Sequence, residues 1–275
     1  EIPDSAAIVR MDLASRKMDT LGFIKTPKVK LDVTRDDNGR VTAVSQINPL
    51  PVVDDWAVLS DGSVAFVRGR DYHVDFVRTD GTRVSAVKIP FEWQRLTDED
   101  KSAFLDSLKA ARERLGPNAT MGGLGGMAGA MMGGGPQMVI VGGPGGPGSG
   151  PGNGPGGLGG AAAPGGGTNI RSGGPGGGPA LQMNFVPASE LPDYKPPFFA
   201  GSVRSDTQGN LWIRTIPTKA IPGGPVYDVI NQNGEIVDRV QIPENRTIVG
   251  FGSDGTVYLA ARENTVVYLE RAKLR

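Results

Sequence analysis

Short runs of alternating apolar and polar residues, separated by turn dipeptides, make up most of this chain. Asp61-Gly62 separates two apolar runs within residues 56–67, and Asp80-Gly81 separates two more within residues 72–87. Three further dipeptides divide C-terminal apolar runs in the same way: Gly209-Asn210, Asn233-Gly234 and Asp254-Gly255. Glycine adopts positive φ without steric cost, and Asn or Asp tolerates it, so each dipeptide predicts a β-hairpin with a two-residue loop.

The spacing of the turns predicts a repeating unit of four strands. The first two dipeptides lie 19 residues apart and the last two lie 21 residues apart. Two hairpins in about 40 residues give four antiparallel strands, the size of one β-propeller blade. Less regular hairpins are predicted around ASRKM (14–18) and Asp37-Asn38-Gly39, and TVVYLE (265–270) is a last strand. The total is about fifteen strands, close to four blades, which predicts either a four-bladed ring lacking one strand or a larger ring that has lost its N-terminal blades.

Residues 97–116 have a helical period instead. Thr97 followed by Asp100 resembles a capping box, and acidic residues at this position favour a helix N-terminus. Apolar residues recur on one face from Phe104 to Leu115, and Gly116-Pro117 predicts the end of the helix.

The segment after the helix has a different composition. Residues 116–180 contain 29 of the 42 glycines, nine of the 22 prolines and one charged residue, Arg171. Such a composition cannot bury enough apolar surface to offset the entropy of ordering, so a disordered Gly/Pro-rich insert is predicted. Within it only QMVIV (137–141) resembles a strand, and LQMNFV (181–186) is its predicted partner.

Charge and cysteine content exclude several classes of protein. The chain has 29 basic and 29 acidic residues and a pI near 6.9, so no nucleic-acid partner is predicted. The absence of cysteine excludes disulfides and thiolate sites. No apolar run reaches the roughly 18 residues of a membrane span, and Glu1 is interpreted as a processing or fragment boundary.

Four segments together resemble six-bladed β-propellers of the TolB-like superfamily, in particular exported bacterial proteins of unassigned function. They are PLPVVDDWAVLSDGSVAFVRGRDYHVDFVRTDG (49–81), LTDEDKSAF (96–104), YDVINQNGEIVDRVQIP (227–243) and DGTVYLAARENTVVYLERAKL (254–274). The resemblance implies about 24 strands, so N-terminal blades of the six-bladed ring would be missing. It also implies a periplasmic or extracellular location.

The predicted fold is therefore all-β, a β-propeller of four-stranded antiparallel blades with one helix and a disordered insert. The predicted boundaries are propeller blades over 1–92, a helical excursion over 93–116, the Gly/Pro-rich insert over 117–180 and further blades over 181–275.

Two consecutive carboxylates, Asp54 and Asp55, precede the strand that begins at Trp56. At the start of an innermost strand they would lie near a propeller's central channel, where they could bind a cation or a basic ligand. The alternative is that one caps a turn and the other faces solvent.

A second group of candidates lies at strand ends. Arg68, Arg70 and Asp71 end the strand after the first turn, and Arg214 ends LWIR (211–214) at the equivalent place in another unit. Arginines at one rim could form an anion-binding mouth, with surface charge or pairing between blades as the alternative.

The remaining candidates are aromatic. His73 is the only histidine, and without a G-x-S-x-G segment to present a serine it does not predict a hydrolase triad. Trp56, Trp212 and Tyr258 occupy similar positions in the units and are interpreted as packing between blades rather than as a stacking platform.

The sequence favours a non-enzymatic binding or scaffolding module for a protein or small-molecule ligand, without catalytic residues, metal or cofactor. The weak ligand-binding candidates are the seven residues Asp54, Asp55, Arg68, Arg70, Asp71, His73 and Arg214. The alternative is a metal-dependent hydrolase or lyase acting at the channel, as in six-bladed relatives. A third possibility is a surface or matrix protein whose Gly-rich segment is the functional element.

Overall fold

The computed structural model describes residues 3–35, 41–115, 181–218, 222–263 and 266–273. This part of the chain is mostly β, with sixteen strands and one α-helix, α1. Their bounds are β1 Ser5–Met11, β2 Met18–Lys25, β3 Val29–Arg35, β4 Val41–Ile47, β5 Asp55–Val58, β6 Val64–Arg68, β7 His73–Val77, β8 Arg83–Ser85, α1 Asp98–Leu115, β9 Leu181–Phe185, β10 Val203–Ser205, β11 Leu211–Arg214, β12 Val226–Ile230, β13 Ile236–Gln241, β14 Arg246–Phe251, β15 Thr256–Glu263 and β16 Val266–Lys273.

The strands form five sheets. Two are four-stranded and antiparallel in chain order: sheet I is β5-β6-β7-β8 and sheet II is β10-β11-β12-β13. Sheet III is the three-stranded antiparallel β14-β15-β16, and β1-β2 is the N-terminal hairpin. The stem sheet has the order β3-β4-β9. The prediction of four-stranded antiparallel units is confirmed for sheets I and II.

All five predicted turn dipeptides lie between paired strands, but their loops are one residue longer than predicted. In each, the glycine has positive φ, between 76° and 89°. In the first, the Gly62 N–H donates to Leu59 O and the Leu59 N–H donates to Ser63 O. This is a three-residue loop with the glycine in the left-handed bulge position. Asp61 accepts the Ser63 N–H and fixes the turn.

Neighbouring sheets pack face to face, so a central strand contacts two cores at once. On β6, Ala65 and Val67 face the core shared with sheet II, whereas Val64 and Phe66 face the N-terminal hairpin. Gly22 on β2 permits this second contact, because a Cβ there would lie 2.9 Å from Cζ of Phe66. The burial of both faces explains why residues 64–67 of this strand are all apolar.

The two tryptophans predicted to pack between units differ. Trp212 is 3% exposed in the core between sheets II and III, beside Tyr227 and Phe251. Trp56 is 38% exposed on β5, so the prediction that it packs between units is wrong. Trp56 lies opposite Phe66, on the face of sheet I that the N-terminal hairpin covers, but the core under the hairpin contains Phe66 and not Trp56.

The helix shares a core with the end of the stem sheet, in which Leu108 of α1 packs with Val186, the residue after β9. Thr97 and Asp100 make the predicted reciprocal capping hydrogen bonds, and α1 buries Phe104 and Leu108. β9 pairs in parallel with β4. The predicted partner of β9, QMVIV (137–141), lies outside the described residues, as do Asp37-Asn38-Gly39 and the Gly/Pro-rich insert.

Within the described ranges, no helix combines the length and the apolar character that crossing a membrane requires.

Candidate functional site

Asp54 joins sheet I to the N-terminal hairpin. Its backbone N–H donates to Lys25 O at 2.9 Å, and its carboxylate accepts the Lys25 N–H at 3.0 Å. The same carboxylate accepts hydrogen bonds from Gly69 N–H and Arg68 Nη1. Asp54 therefore has a structural role between the two sheets, because each of its carboxylate oxygens already accepts a hydrogen bond.

Asp55 makes the corresponding connection to sheet II. One oxygen accepts the Val203 N–H of β10 at 3.0 Å and the other accepts the Trp56 N–H at 2.9 Å. Ser205 on β10 adds a hydrogen bond from its Oγ to Val58 O. Burial raises the pKa of Asp55, against the lowering effect of the two backbone donors.

Asp55→Asn is expected to change how stability depends on pH. Since the pKa of Asp55 is higher in the folded chain than in the unfolded chain, folding takes up protons at pH values between the two. The contribution of the carboxyl group to stability therefore falls as the pH rises from the unfolded pKa to the folded pKa. The difference in unfolding free energy, wild type minus Asp55→Asn, should therefore decrease from about pH 4 upward and become constant above the folded pKa. Urea denaturation at a series of pH values measures it.

Asp254→Asn is the matched control, with the opposite sign. Hydrogen bonds from Thr256 lower the pKa of Asp254, so its contribution is lost as pH falls below the unfolded value. The corresponding difference should increase as pH rises. Two difference curves of the same sign would contradict the assignment of a buried, destabilised charge to Asp55.

Arg68 and His73 meet at a carboxylate that the sequence did not single out, Asp75 on β7. Arg68 Nε donates to Asp75 at 2.7 Å, and its Nη1 donates to Asp54 and to Phe23 O. Burial lowers the pKa of Arg68, but the hydrogen bonds to Asp75 and Asp54 outweigh it and the pKa is raised. The guanidinium is thus held between two carboxylates rather than directed at solvent.

His73 and Ser85 also contact Asp75, but not in a catalytic order. His73 Nε2 lies 3.3 Å from Asp75 Oδ1, and Ser85 Oγ donates to the same oxygen at 2.6 Å. The carboxylate lies between hydroxyl and imidazole, whereas a hydrolase triad needs the imidazole in the middle to take the serine proton. The His73 Nδ1 atom is buried and has no hydrogen-bond partner among the described residues.

The other three candidates lie apart from this cluster. Arg70 is exposed, and Asp71 is 3.6 Å from Nζ of exposed Lys88. Arg214, at the end of β11 in sheet II, is buried, and burial lowers its pKa. The structure thus brings together Asp54, Arg68 and His73, and places Asp55 at the other side of sheet I.

A second polar cluster joins sheets I and II. Tyr72 OH donates to Asp228 Oδ2 at 2.9 Å and Arg239 Nε donates to Oδ1 at 2.7 Å. Tyr72 and Asp228 are fully buried, and burial together with the Asp228 charge raises the pKa of Tyr72 well above its usual value. Tyr72 has φ of 46°, a strained conformation for an aromatic residue, and its ring is held by Phe91 and Phe198.

Sequence reasoning missed this cluster, although the repeat contains the signal for it. HVDFVRTDGTRVSAVKIP (73–90) aligns without a gap with VYDVINQNGEIVDRVQIP (226–243). The alignment places Asp75 and Asp228 at the same position of β7 and β12, where a carboxylate lies between two buried residues of the strand. Both face a neighbouring group of arginine and hydroxyl donors.

The exposed side chains of β5 are apolar. Trp56 and Val58 alternate with Asp55 and Ala57, so they share one face of the strand, and both are at least a third exposed. Among the residues that the structure describes, no group of three or more His, Cys, Asp or Glu side chains is placed to hold a metal ion.

Comparison of the chain with protein-family models, with curated proteins and with solved structures found no match.

Proposed function

We propose that this chain is part of a β-propeller that serves as a non-enzymatic binding or scaffolding module. The support is the way the sheets are connected. Asp54 joins β2 to the start of β5, Asp55 joins β5 to β10, and the Tyr227 hydroxyl accepts the Ile248 N–H of β14. Sheets that pack face to face, with their first strands adjacent, are the arrangement of propeller blades.

The observation that favours binding over catalysis is the use of the side chains around β5. The charged groups there, Asp54, Asp55 and Arg68, are held in contacts between sheets. The side chains left exposed on the same strand are Trp56 and Val58, which offer apolar contact area and an indole N–H. A rigid sheet that presents an exposed tryptophan is suited to recognising a ligand.

The proposed partner is a protein or a small molecule that covers Trp56. The proposal also includes a periplasmic or extracellular location and a ring with further blades. Both are supported by the resemblance to TolB-like propellers.

The test uses the whole chain labelled with 5-fluorotryptophan. The sequence has three tryptophans, so ¹⁹F NMR should give three resonances, each assigned by a Trp→Phe substitution. The probes are a defined panel of extended peptides and oligosaccharides. We expect a saturable shift of the Trp56 resonance with at least one probe, and no shift of buried Trp212.

A matched control is Trp56→Ala, which should abolish that binding without loss of fold. Saturable shifts confined to Trp93 would place binding elsewhere and contradict the assignment to β5. Turnover of a panel of esters and lactones in the presence of Zn²⁺, Ca²⁺ or Mn²⁺, lost on metal removal, would contradict the non-enzymatic proposal.

A further inference from the structure

A short antiparallel ladder joins residues 94–96, which precede α1, to residues 193–195, which follow β9. Arg95 and Tyr194 lie directly opposite each other at its centre. Backbone hydrogen bonds of 2.8 and 2.9 Å flank the two residues on either side but do not join them. In such a non-hydrogen-bonded pair the opposite side chains lie at their closest.

One face of this ladder is buried and the other is exposed. Leu96 and Lys195 are only 7% and 5% exposed, whereas Arg95 and Tyr194, at the alternate positions, are exposed. Trp93 lies two residues before Arg95, and its ring contacts that of Tyr194. The outer face of the ladder therefore presents an indole, a guanidinium and a phenol side by side.

The two exposed rings are perpendicular to each other. The ring centroids of Trp93 and Tyr194 are 6.5 Å apart, and the angle between the ring planes is 89°. The indole also packs edge to face against half-buried Phe91, which in turn packs against fully buried Tyr72. Because the indole is held from the interior, a ligand that covers it costs little side-chain entropy.

Arg95 is not paired with either acidic residue beside it. Asp193 accepts a hydrogen bond from Lys101 Nζ at 2.8 Å, and Glu92 accepts one from Thr218 Oγ1 at 3.5 Å. Within the described part of the chain, the Arg95 guanidinium makes no hydrogen bond or ion pair. An exposed guanidinium of this kind can bind a carboxylate of a ligand through two parallel hydrogen bonds.

The perpendicular rings favour a proline side chain as the occupant. A sugar ring lies flat on one aromatic face, so a sugar chain is best bound by rings that share a plane. Two perpendicular faces instead form a corner that a compact five-membered ring fills. Proline-rich segments bind aromatic-lined grooves as polyproline II helices, and their conformation is largely set before binding. The charge of Arg95 selects a segment that also contains an acidic residue.

We propose that Trp93, Arg95 and Tyr194 form a docking site for an acidic proline-rich segment of a partner protein. A proline ring of the segment fills the corner between the indole and the phenol, and a neighbouring carboxylate pairs with Arg95. The site uses side chains rather than the open edge of a strand. It shares no residue with the ligand surface at β5, so it stands independently of that proposal.

The first test titrates the whole chain, labelled with 5-fluorotryptophan, with a short blocked peptide of prolines and glutamates. The ¹⁹F resonance of Trp93 should shift saturably. A peptide with alanine in place of proline should bind at least about tenfold more weakly, since it has no ring for the corner and no preset helix. These peptides are not part of the panel used for Trp56, so each proposal can fail without the other.

Three results of this titration would overturn the proposal. They are no saturable shift of Trp93, equal affinity for the proline and alanine peptides, and a saturable shift of Trp93 with an oligogalacturonate but not with the proline peptide. The third result would identify the site as one for an acidic carbohydrate.

Charge reversal tests the role of Arg95. Arg95→Glu should bind the glutamate peptide at least about tenfold more weakly than the wild type and should bind the corresponding lysine peptide more tightly. Arg83→Glu is the matched control, because Arg83 is an exposed arginine on β8, and its affinities should equal those of the wild type. Circular dichroism checks that both variants are folded. Equal effects of the two substitutions, or equal affinity of the wild type for the glutamate and lysine peptides, would overturn the assignment of Arg95.

Discussion

Trp212→Ala is expected to lower the free energy of unfolding by about 3 to 5 kcal/mol. The ring fills the core between sheets II and III, with ring centroids 5.1 Å from Phe251 and 6.5 Å from Tyr227. Its Nε1 donates to Asp206 Oδ2 at 3.0 Å, so truncation also removes a hydrogen bond. Urea denaturation followed by circular dichroism measures the loss.

Trp56→Ala is the matched control for this loss. The indole of Trp56 is 38% exposed at the edge of sheet I, so its removal leaves no closed cavity. We expect a loss below about 1.5 kcal/mol. Similar losses for both tryptophans would contradict the difference in burial between the two residues.

Asp228→Ala is expected to destabilise the chain by about 3 kcal/mol. The buried hydroxyl of Tyr72 would lose its acceptor between sheets I and II, and Arg239 would lose its partner. Thermal unfolding measures the effect. Asp238→Ala removes an exposed carboxylate from the neighbouring strand and should change stability by less than about 0.5 kcal/mol.

A double-mutant cycle identifies the contact responsible. Tyr72→Phe should be destabilising in the wild type and nearly neutral in the Asp228→Ala background, since the hydroxyl has no acceptor there. Additive losses would show that the Tyr72–Asp228 hydrogen bond does not carry the effect.

The turns could be predicted from the sequence because their cause is local. Gly62 and Gly234 must adopt positive φ whatever packs around them, so an Asp-Gly or Asn-Gly pair indicates the loop directly. The third loop residue could not be predicted from the dipeptide, since the loop length depends on which flanking residues form the last hydrogen-bonded pair of the two strands. The helix cap of Thr97 and Asp100 is local in the same sense.

Burial and partners of polar residues could not be predicted, because they depend on which sheets become neighbours. Trp56 and Trp212 lie in similar runs, yet only Trp212 belongs to a buried core, the one between sheets II and III. Asp54 and Asp55 looked like a ligand-binding pair, yet they accept backbone N–H groups of β2 and β10. Both donors come from segments far away in the sequence.

The parallel pairing of β4 with β9 has a consequence for synthesis of the chain. β4 ends at Ile47 and β9 begins at Leu181, so about 130 residues must be translated before the stem sheet can be completed. At about 5 to 20 residues per second, the edge of β4 waits roughly 7 to 26 s on the ribosome for its partner. Over that interval β4 lacks its native neighbour, and slower translation of residues 48–180 lengthens the time for which that strand edge is open to other pairing.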